Sequence, residues 1–275
     1  VLRMRVVELF AGVGGFRVGL EAVENTPFEV VWANQWEPAT KAQPAFDCYV
    51  KNFGNRGGIH SNEDMASVDG AAVPGHELRG GGFPCQDWSG ARRTGGEQGI
   101  QGKKGVLFWE IARILRAKRP SYVLLENVDR LLKAPSKQRG RDFAVMLGSL
   151  RDLGYYVEWR VINAAEYGHA QRRRRVFIFA YHRDTVYGQE MLQYVQNKGQ
   201  IIHHAGFFAD IFPIYDDSSE RHLPTGDTLP ADLVDLSDTY SAQFRNSGVM
   251  MDGVFYSEET IPVEKKPVLL GDIIQ

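Results

Sequence analysis

Only two cysteines, Cys48 and Cys85, occur in 275 residues. That is too few for a disulfide framework, so a reducing compartment is the simpler setting and each thiol is judged on its surroundings. No stretch approaches the roughly 18 consecutive apolar residues that a membrane-spanning helix needs, and no signal peptide opens the chain. His/Cys spacings and Asp-rich runs of the metal-ligand type are missing as well, so the sequence gives no reason to expect a metal or a membrane partner. Net charge is also scarce, at −2 overall, which argues against a uniformly basic binding protein.

That average hides an asymmetry. Residues 205–275 hold 13 acidic and 4 basic side chains, so this stretch carries −9 and residues 1–204 carry +7. Either a basic functional surface adjoins an acidic appendage, or these are two ordinary solvated faces. The expected organisation is a domain over residues 1–204 followed by a loop-rich extension over 205–275, where turn residues abound and periodicity is weak.

What is present reads as alternating strands and helices. In "MRVVELFAGVGGFRVGLEAV", Val6, Leu9 and Phe10 belong to an apolar strand, a glycine turn follows, and Phe16, Leu20 and Val23 share a helix face. "FEVVWANQWEP" is a second strand, "HELRGGGFPC" a short strand edge entering a loop, and "VLFWEIARILRAKRP" an amphipathic helix stopped by Pro120. "SYVLLENV" is a strand, "RDFAVMLGSLRDLGY" a helix, and "VEWRVINAAEYG" and "RRVFIFAYH" are late strands. The alternation predicts an α/β fold with a mostly parallel sheet and helices on both faces.

A strand–glycine–helix junction exposes backbone N–H groups to a polar or anionic ligand. "AGVGG" offers Gly12, Gly14 and Gly15, but the third glycine of the dinucleotide fingerprint falls on Arg17, so a tight turn with nothing bound stays open. The end of the second strand adds to the signal. There Gln35 can bond a ribose hydroxyl and Trp36 can lie against an adenine ring, while Asp64 further on can accept from an adenine amino group.

Cys85 follows a proline and precedes Gln86, Asp87 and Ser89, a poor setting for core packing and a plausible one for a nucleophile. Cys48, on a helix beside aromatics, reads as core filler. Glu126 ends an apolar strand, where a carboxylate faces the crevice in which parallel sheets keep ligands; a salt bridge to an arginine is the alternative. "QRRRRV" runs into a strand, so Arg173 and Arg175 point one way and Arg172 and Arg174 the other. Methylation of a pyrimidine at carbon-5 needs this set of groups: a thiolate to add at carbon-6, an acid at nitrogen 3, and a cation at the exocyclic oxygen.

The ordered segments "ELFAGVGGF", "ANQWEP", "ED", "GFPCQDWS", "GVLFWEIARIL", "ENV" and "QRRRR", over about residues 4 to 182, resemble the cytosine-5 DNA methyltransferases. The resemblance implies a Rossmann-like S-adenosylmethionine-dependent methyltransferase fold, S-adenosylmethionine as methyl donor with S-adenosylhomocysteine as product, and a target cytosine flipped out of double-stranded DNA. By motif, Cys85 is the nucleophile, Glu126 bonds the ring nitrogen, and Arg173 and Arg175 lie beside the base. Phe10, Ala11, Gly12, Val13, Gly14, Gly15, Gln35, Trp36, Asp64, Met65, Pro84 and Leu107 line the cofactor site. Gln86, Ser89, Arg92, Arg93, Lys103 and Lys104, in a glycine-rich loop, and Gln171 face DNA.

Two departures stand out. Gln35 replaces the family's usual Glu, and "PVLLGDII", which resembles the entry to a target-recognition domain, is followed by no such domain. The expected protein is the catalytic subunit of a two-chain, restriction–modification enzyme in the bacterial cytoplasm, associated with the nucleoid. A truncated chain, a tRNA cytosine-5 methyltransferase and a non-catalytic DNA-binding scaffold of the same fold are the alternatives.

Overall fold

A computed structural model describes residues 3–83, 107–216 and 223–274. They divide into two compact units, the first built from residues 3–83 and 107–126, the second from 127–216 and 223–274.

The first unit is a parallel sheet. Its strands are β1 (Met4–Leu9), β2 (Phe28–Asn34), β3 (Ile59–Ser61), β4 (Leu78–Gly82) and β5 (Tyr122–Asn127), and its helices are α1 (Gly15–Glu21), α2 (Pro44–Phe53) and α3 (Leu107–Lys118). The strands lie in the order β3-β2-β1-β4-β5, all parallel. The order reverses between β1 and β4, and ligands of such sheets bind beyond the carboxyl ends of the strands at that reversal. Val6, Val30, Ala33, Tyr49, Phe53 and Leu78 form one buried cluster, with Leu20 and Phe28 packed against it. Each such side chain contributes roughly 1.5–3 kcal/mol on burial.

β4, expected as a short strand edge entering a loop, pairs with β1 on one side and β5 on the other. Its glycines conceal this, because they lack the apolar signature of a buried strand yet are what the position requires. At Gly81 φ is +139° and an added Cβ would stand 2.0 Å from the Leu9 carbonyl oxygen, so only glycine lets β4 pass the end of β1.

A buried charged group ties the start of α1 to its neighbours. Arg17, 1% exposed, donates from Nε to Glu21 Oε1 at 2.7 Å and from Nη1 to Tyr49 Oη at 3.4 Å. Its guanidinium lies 4.9 Å from the centre of the Phe53 ring. Tyr49 in turn donates to the buried Glu8 carboxylate. Burial raises the pKa of Glu8, against the opposing pull of the Tyr49 bond and the Arg17 charge.

The second unit is antiparallel in its strand pairings. β6 (Tyr155–Asn163) pairs with β7 (Arg174–His182) and with β9 (Ser247–Met251); β9 pairs with β10 (Val254–Glu258), and β10 with β8 (Thr225–Thr228). Helices α4 (Arg141–Asp152), α5 (Val186–Met191) and α6 (Leu233–Asp238) complete it. An aromatic core of Phe143, Trp159 and Phe244 is held edge-to-face, with ring centres 5.0 to 5.8 Å apart. Within residues 205–275, expected as a loop-rich extension, the described residues include strands β8, β9 and β10 and helix α6, and every residue of β9 is buried. "SGVMM" shows no alternation because both of its faces are covered.

Candidate active site

The glycine loop leaves β1 through Phe10, which is half-buried with φ of +56°. A bulky residue in the left-handed region carries strain of order 1–3 kcal/mol and marks ligand clamps. Ala11 N–H donates to Asn34 O at 2.9 Å, tying the loop to the end of β2. Gly14, with φ of +96°, leaves no room for a side chain, since a Cβ would meet the Phe53 ring at 2.3 Å. At Gly12 and Gly15 a Cβ would meet nothing within 4 Å, so the backbone there borders open space. Val13 is exposed.

Gln35 is bound to this loop. Its Oε1 accepts from Gly12 N–H at 2.8 Å, leaving Nε2 to act as a donor to a ligand hydroxyl oxygen. Its backbone N–H donates to Ser61 O at 3.1 Å, and its carbonyl accepts from Asn62 Nδ2 at 2.7 Å. Trp36, the next residue, is half-buried, so part of its ring surface remains open. Asp64 is also half-buried and accepts from Ala66 N–H through Oδ1 at 3.0 Å. The Met65 side chain is buried in the core, and its carbonyl accepts from Arg113 at 2.7 Å. Leu107 is the first residue of α3.

Glu126 lies at the carboxyl end of β5, half-buried, beside buried Asn127. It stands opposite Gly82 in the sheet register. A Cβ at position 82 would come within 2.9 Å of Glu126 Oε2, so glycine there makes room for the carboxylate. The nucleophile candidate Cys85 lies outside the described residues, as do Pro84, Gln86, Ser89, Arg92, Arg93, Lys103 and Lys104. Cys48, expected as core filler, is only half-buried, and its sulfur accepts from Asn52 Nδ2 at 3.5 Å. Its place on α2 leaves one flank toward the surface.

In the second unit, Gln171 and Arg173 are exposed and Arg175 is half-buried, opposite Ile162 in the register of β6 and β7. The strand begins at Arg174, so alternation is enforced only from there. Arg174 pairs with Asp129 at 3.0 Å, which accounts for one of the four arginines by a surface ion pair. The sequence reading did not single out Asp129, Asn62, or Gln43 ahead of α2. Gln43 precedes Pro44, which opens the helix, yet makes no side-chain cap, and nothing in the local pattern marks the loop bonds it makes instead.

The glycine loop, Gln35, Trp36 and Asp64 meet at the carboxyl ends of β1, β2 and β3, the strand ends where such a sheet holds a nucleotide-like ligand. Residues 4–246 match the family model of the C-5 cytosine-specific DNA methylases. The chain belongs to that family. It is 56% identical to the type II methyltransferase M.Sau3AI of Staphylococcus aureus over 99% of its own length and 66% of that protein. It is 33% identical to the type II methyltransferase M.HhaI of Haemophilus parahaemolyticus over 66% of this chain and 50% of that one. The chain thus spans about two thirds of the first relative and half of the second.

Among solved structures, Spodoptera frugiperda DNMT2 aligns with a TM-score of 0.51 at 15% identity, covering 66% of this chain and 51% of that one. Dnmt2 of S. pombe aligns with a TM-score of 0.50 at 20% identity, covering 68% and 54%. These likenesses establish the Rossmann-like methyltransferase fold.

The first-unit site suits S-adenosylmethionine on its own donor set: open space over the Gly12 backbone, an accessible indole, a half-buried carboxylate and an amide donor. Among the described residues no group of three His, Cys, Asp or Glu side chains could hold a metal, and no helix is long and apolar enough to cross a membrane.

Proposed function

We propose that this chain carries the catalytic centre of an enzyme that methylates carbon-5 of cytosine in duplex DNA. The observation that carries the reading is the placement of Glu126. It lies at the carboxyl end of the parallel strand β5, opposite a glycine that makes room for it, and Cys85 follows that glycine by three residues in the sequence. An acid at a strand end and a cysteine close by in the sequence are thus found together in a member of the C-5 cytosine methylase family.

The Cys85 thiolate adds to carbon-6, forming a carbon–sulfur bond and moving the ring's π electrons toward carbon-5. Glu126 holds the proton at ring nitrogen 3, and Arg175, with Arg173, offsets negative charge at the exocyclic oxygen. Gln35, Trp36 and Asp64, with the glycine loop, would hold S-adenosylmethionine, which when bound would supply an electrophilic methyl group and yield S-adenosylhomocysteine. Loss of the carbon-5 proton to a solvent base then expels the thiolate and restores the aromatic ring. The base must leave the duplex for the thiol to reach its face, and the cationic loop residues Arg92, Arg93, Lys103 and Lys104 are assigned to the phosphates around it.

The type II names of the relatives support a role in restriction–modification. Recognition of the target sequence is assigned to polypeptide beyond the residues compared, and the mass of the native complex tells whether that polypeptide is a second chain. The function is tested by methyl transfer from labelled S-adenosylmethionine to duplex DNA and, in parallel, to tRNA by that complex. Label in DNA cytosine supports the proposal; label in tRNA alone overturns the substrate, and label in neither overturns the activity.

A further inference from the structure

Trp36 sits in a loop between β2 and α2, and loops are in general more mobile than the elements they connect. Here the two residues flanking Trp36 are pinned by side chains. On the near side, Asn62 Nδ2 donates to Gln35 O at 2.7 Å, and Gln35 N–H donates to Ser61 O at 3.1 Å. On the far side, the amide of Gln43 grips both backbone groups of Glu37: Oε1 accepts from Glu37 N–H at 2.8 Å, and Nε2 donates to Glu37 O at 2.9 Å. Gln43 Nε2 also donates to Thr40 O at 3.0 Å, while its Oε1 accepts from Asn62 Nδ2 at 2.9 Å. Both backbone groups of each flanking residue are thus bonded, and the two clamps are joined to each other through Asn62.

We infer that Gln43, working with Asn62, is a positioning residue that fixes Trp36 as the platform for the adenine of S-adenosylmethionine. The inference rests on the proposed cofactor site and deepens it. The Gln43 amide acts as a surrogate strand, satisfying one N–H and one C=O at once, which a shorter or purely accepting side chain cannot do. Without it the Glu37 backbone turns to water, and the loop samples conformations in which the indole is out of place. Apparent affinity falls by the fraction of molecules that keep the binding-competent loop. Because the Gln43 amide holds the Glu37 backbone directly and reaches Gln35 only by way of Asn62, most of its effect on cofactor affinity runs through Trp36.

The test combines hydrogen exchange with a double-mutant cycle on the full chain, using S-adenosylhomocysteine as the probe in equilibrium dialysis. Gln43→Ala is expected to speed amide exchange at Glu37 without ligand and to weaken binding about tenfold. Gln43→Glu keeps the size and the acceptors but loses the donor, and is expected to weaken binding similarly. In a Trp36→Ala background, Gln43→Ala should change affinity less than about twofold, because interacting sites are non-additive. A tenfold loss that persists without Trp36, or unaltered affinity and exchange in Gln43→Ala, overturns the inference while leaving the cofactor site intact. A folded wild-type chain that binds no S-adenosylhomocysteine overturns the cofactor site, and the inference with it.

Discussion

Replacing Glu158 by glutamine should stabilise the protein, and increasingly so as pH rises. Glu158 is buried on β6. Its Oε1 accepts from Tyr187 Oη at 3.0 Å and its Oε2 from Phe207 N–H at 2.9 Å. Burial pushes its pKa up to about 7, and the Tyr187 and Phe207 bonds and the Arg160 charge only partly offset that. A carboxyl group whose folded-state pKa lies above its unfolded value opposes folding once the unfolded chain ionises. The loss begins near the unfolded value of 4.5 and is complete above about 7.

At about 1.36 kcal/mol per pH unit, the full penalty is roughly 3 kcal/mol, of which about 2 kcal/mol develops between pH 5.5 and 8.5. Glutamine keeps an acceptor for Phe207 N–H and turns a donor toward the Tyr187 oxygen, which is able to accept. Urea unfolding of wild type and Glu158→Gln at those two pH values should show the variant's advantage growing by about 2 kcal/mol toward the alkaline side. An advantage that is independent of pH, or larger in acid, would refute the reasoning.

Three further outcomes follow from the geometry. Gly81→Ala forces a side chain onto the Leu9 carbonyl at positive φ and should cost about 2 kcal/mol or more, read as a lower urea midpoint. Arg17→Ala removes the buried partner of Glu21 and Tyr49, though Glu21 keeps its bond to Arg56, and should cost about 2 kcal/mol or more by the same assay. Glu126→Gln should lower methyl transfer by about a hundredfold or more while leaving S-adenosylhomocysteine binding within about twofold, because the acid acts on the base and not on the cofactor.

The parts of this fold that could be read from the sequence are those where local pattern and tertiary role agree. β1, the glycine turn and α1 follow one another as an apolar run, a flexible joint and a helix, and each is present, although Phe10 lies past the end of β1 and Val23 past the end of α1, where it is exposed. β4 was legible as a short strand, but its place between two neighbours was not, because its core role is met by glycines, whose value lies in what they leave empty: the space taken by Leu9 O and the Glu126 carboxylate. β9 escaped because it is covered on both faces and lies among acidic, turn-forming segments. At the site, Gln35 and Trp36 were visible from their place at the end of β2, whereas Gln43 and Asn62 act through side chain-to-backbone bonds across the loop, which leave no periodic trace. Alternation along the strand divided the four arginines into two pairs in sequence, and the Asp129 bond of Arg174 is a tertiary contact that no local pattern shows.

The central claim is that the sulfur of Cys85 attacks carbon-6 of cytosine. Fluorine at carbon-5 occupies the place of the proton that must leave, so the covalent adduct should persist after the methyl group has been transferred. The native complex should be incubated with S-adenosylmethionine and duplex DNA containing 5-fluorocytosine, digested, and the modified peptide located by mass spectrometry. The account predicts a methylated nucleotide carried on the peptide containing Cys85 and absent from Cys85→Ser. An adduct on Cys48, or an adduct that survives Cys85→Ser, would contradict it.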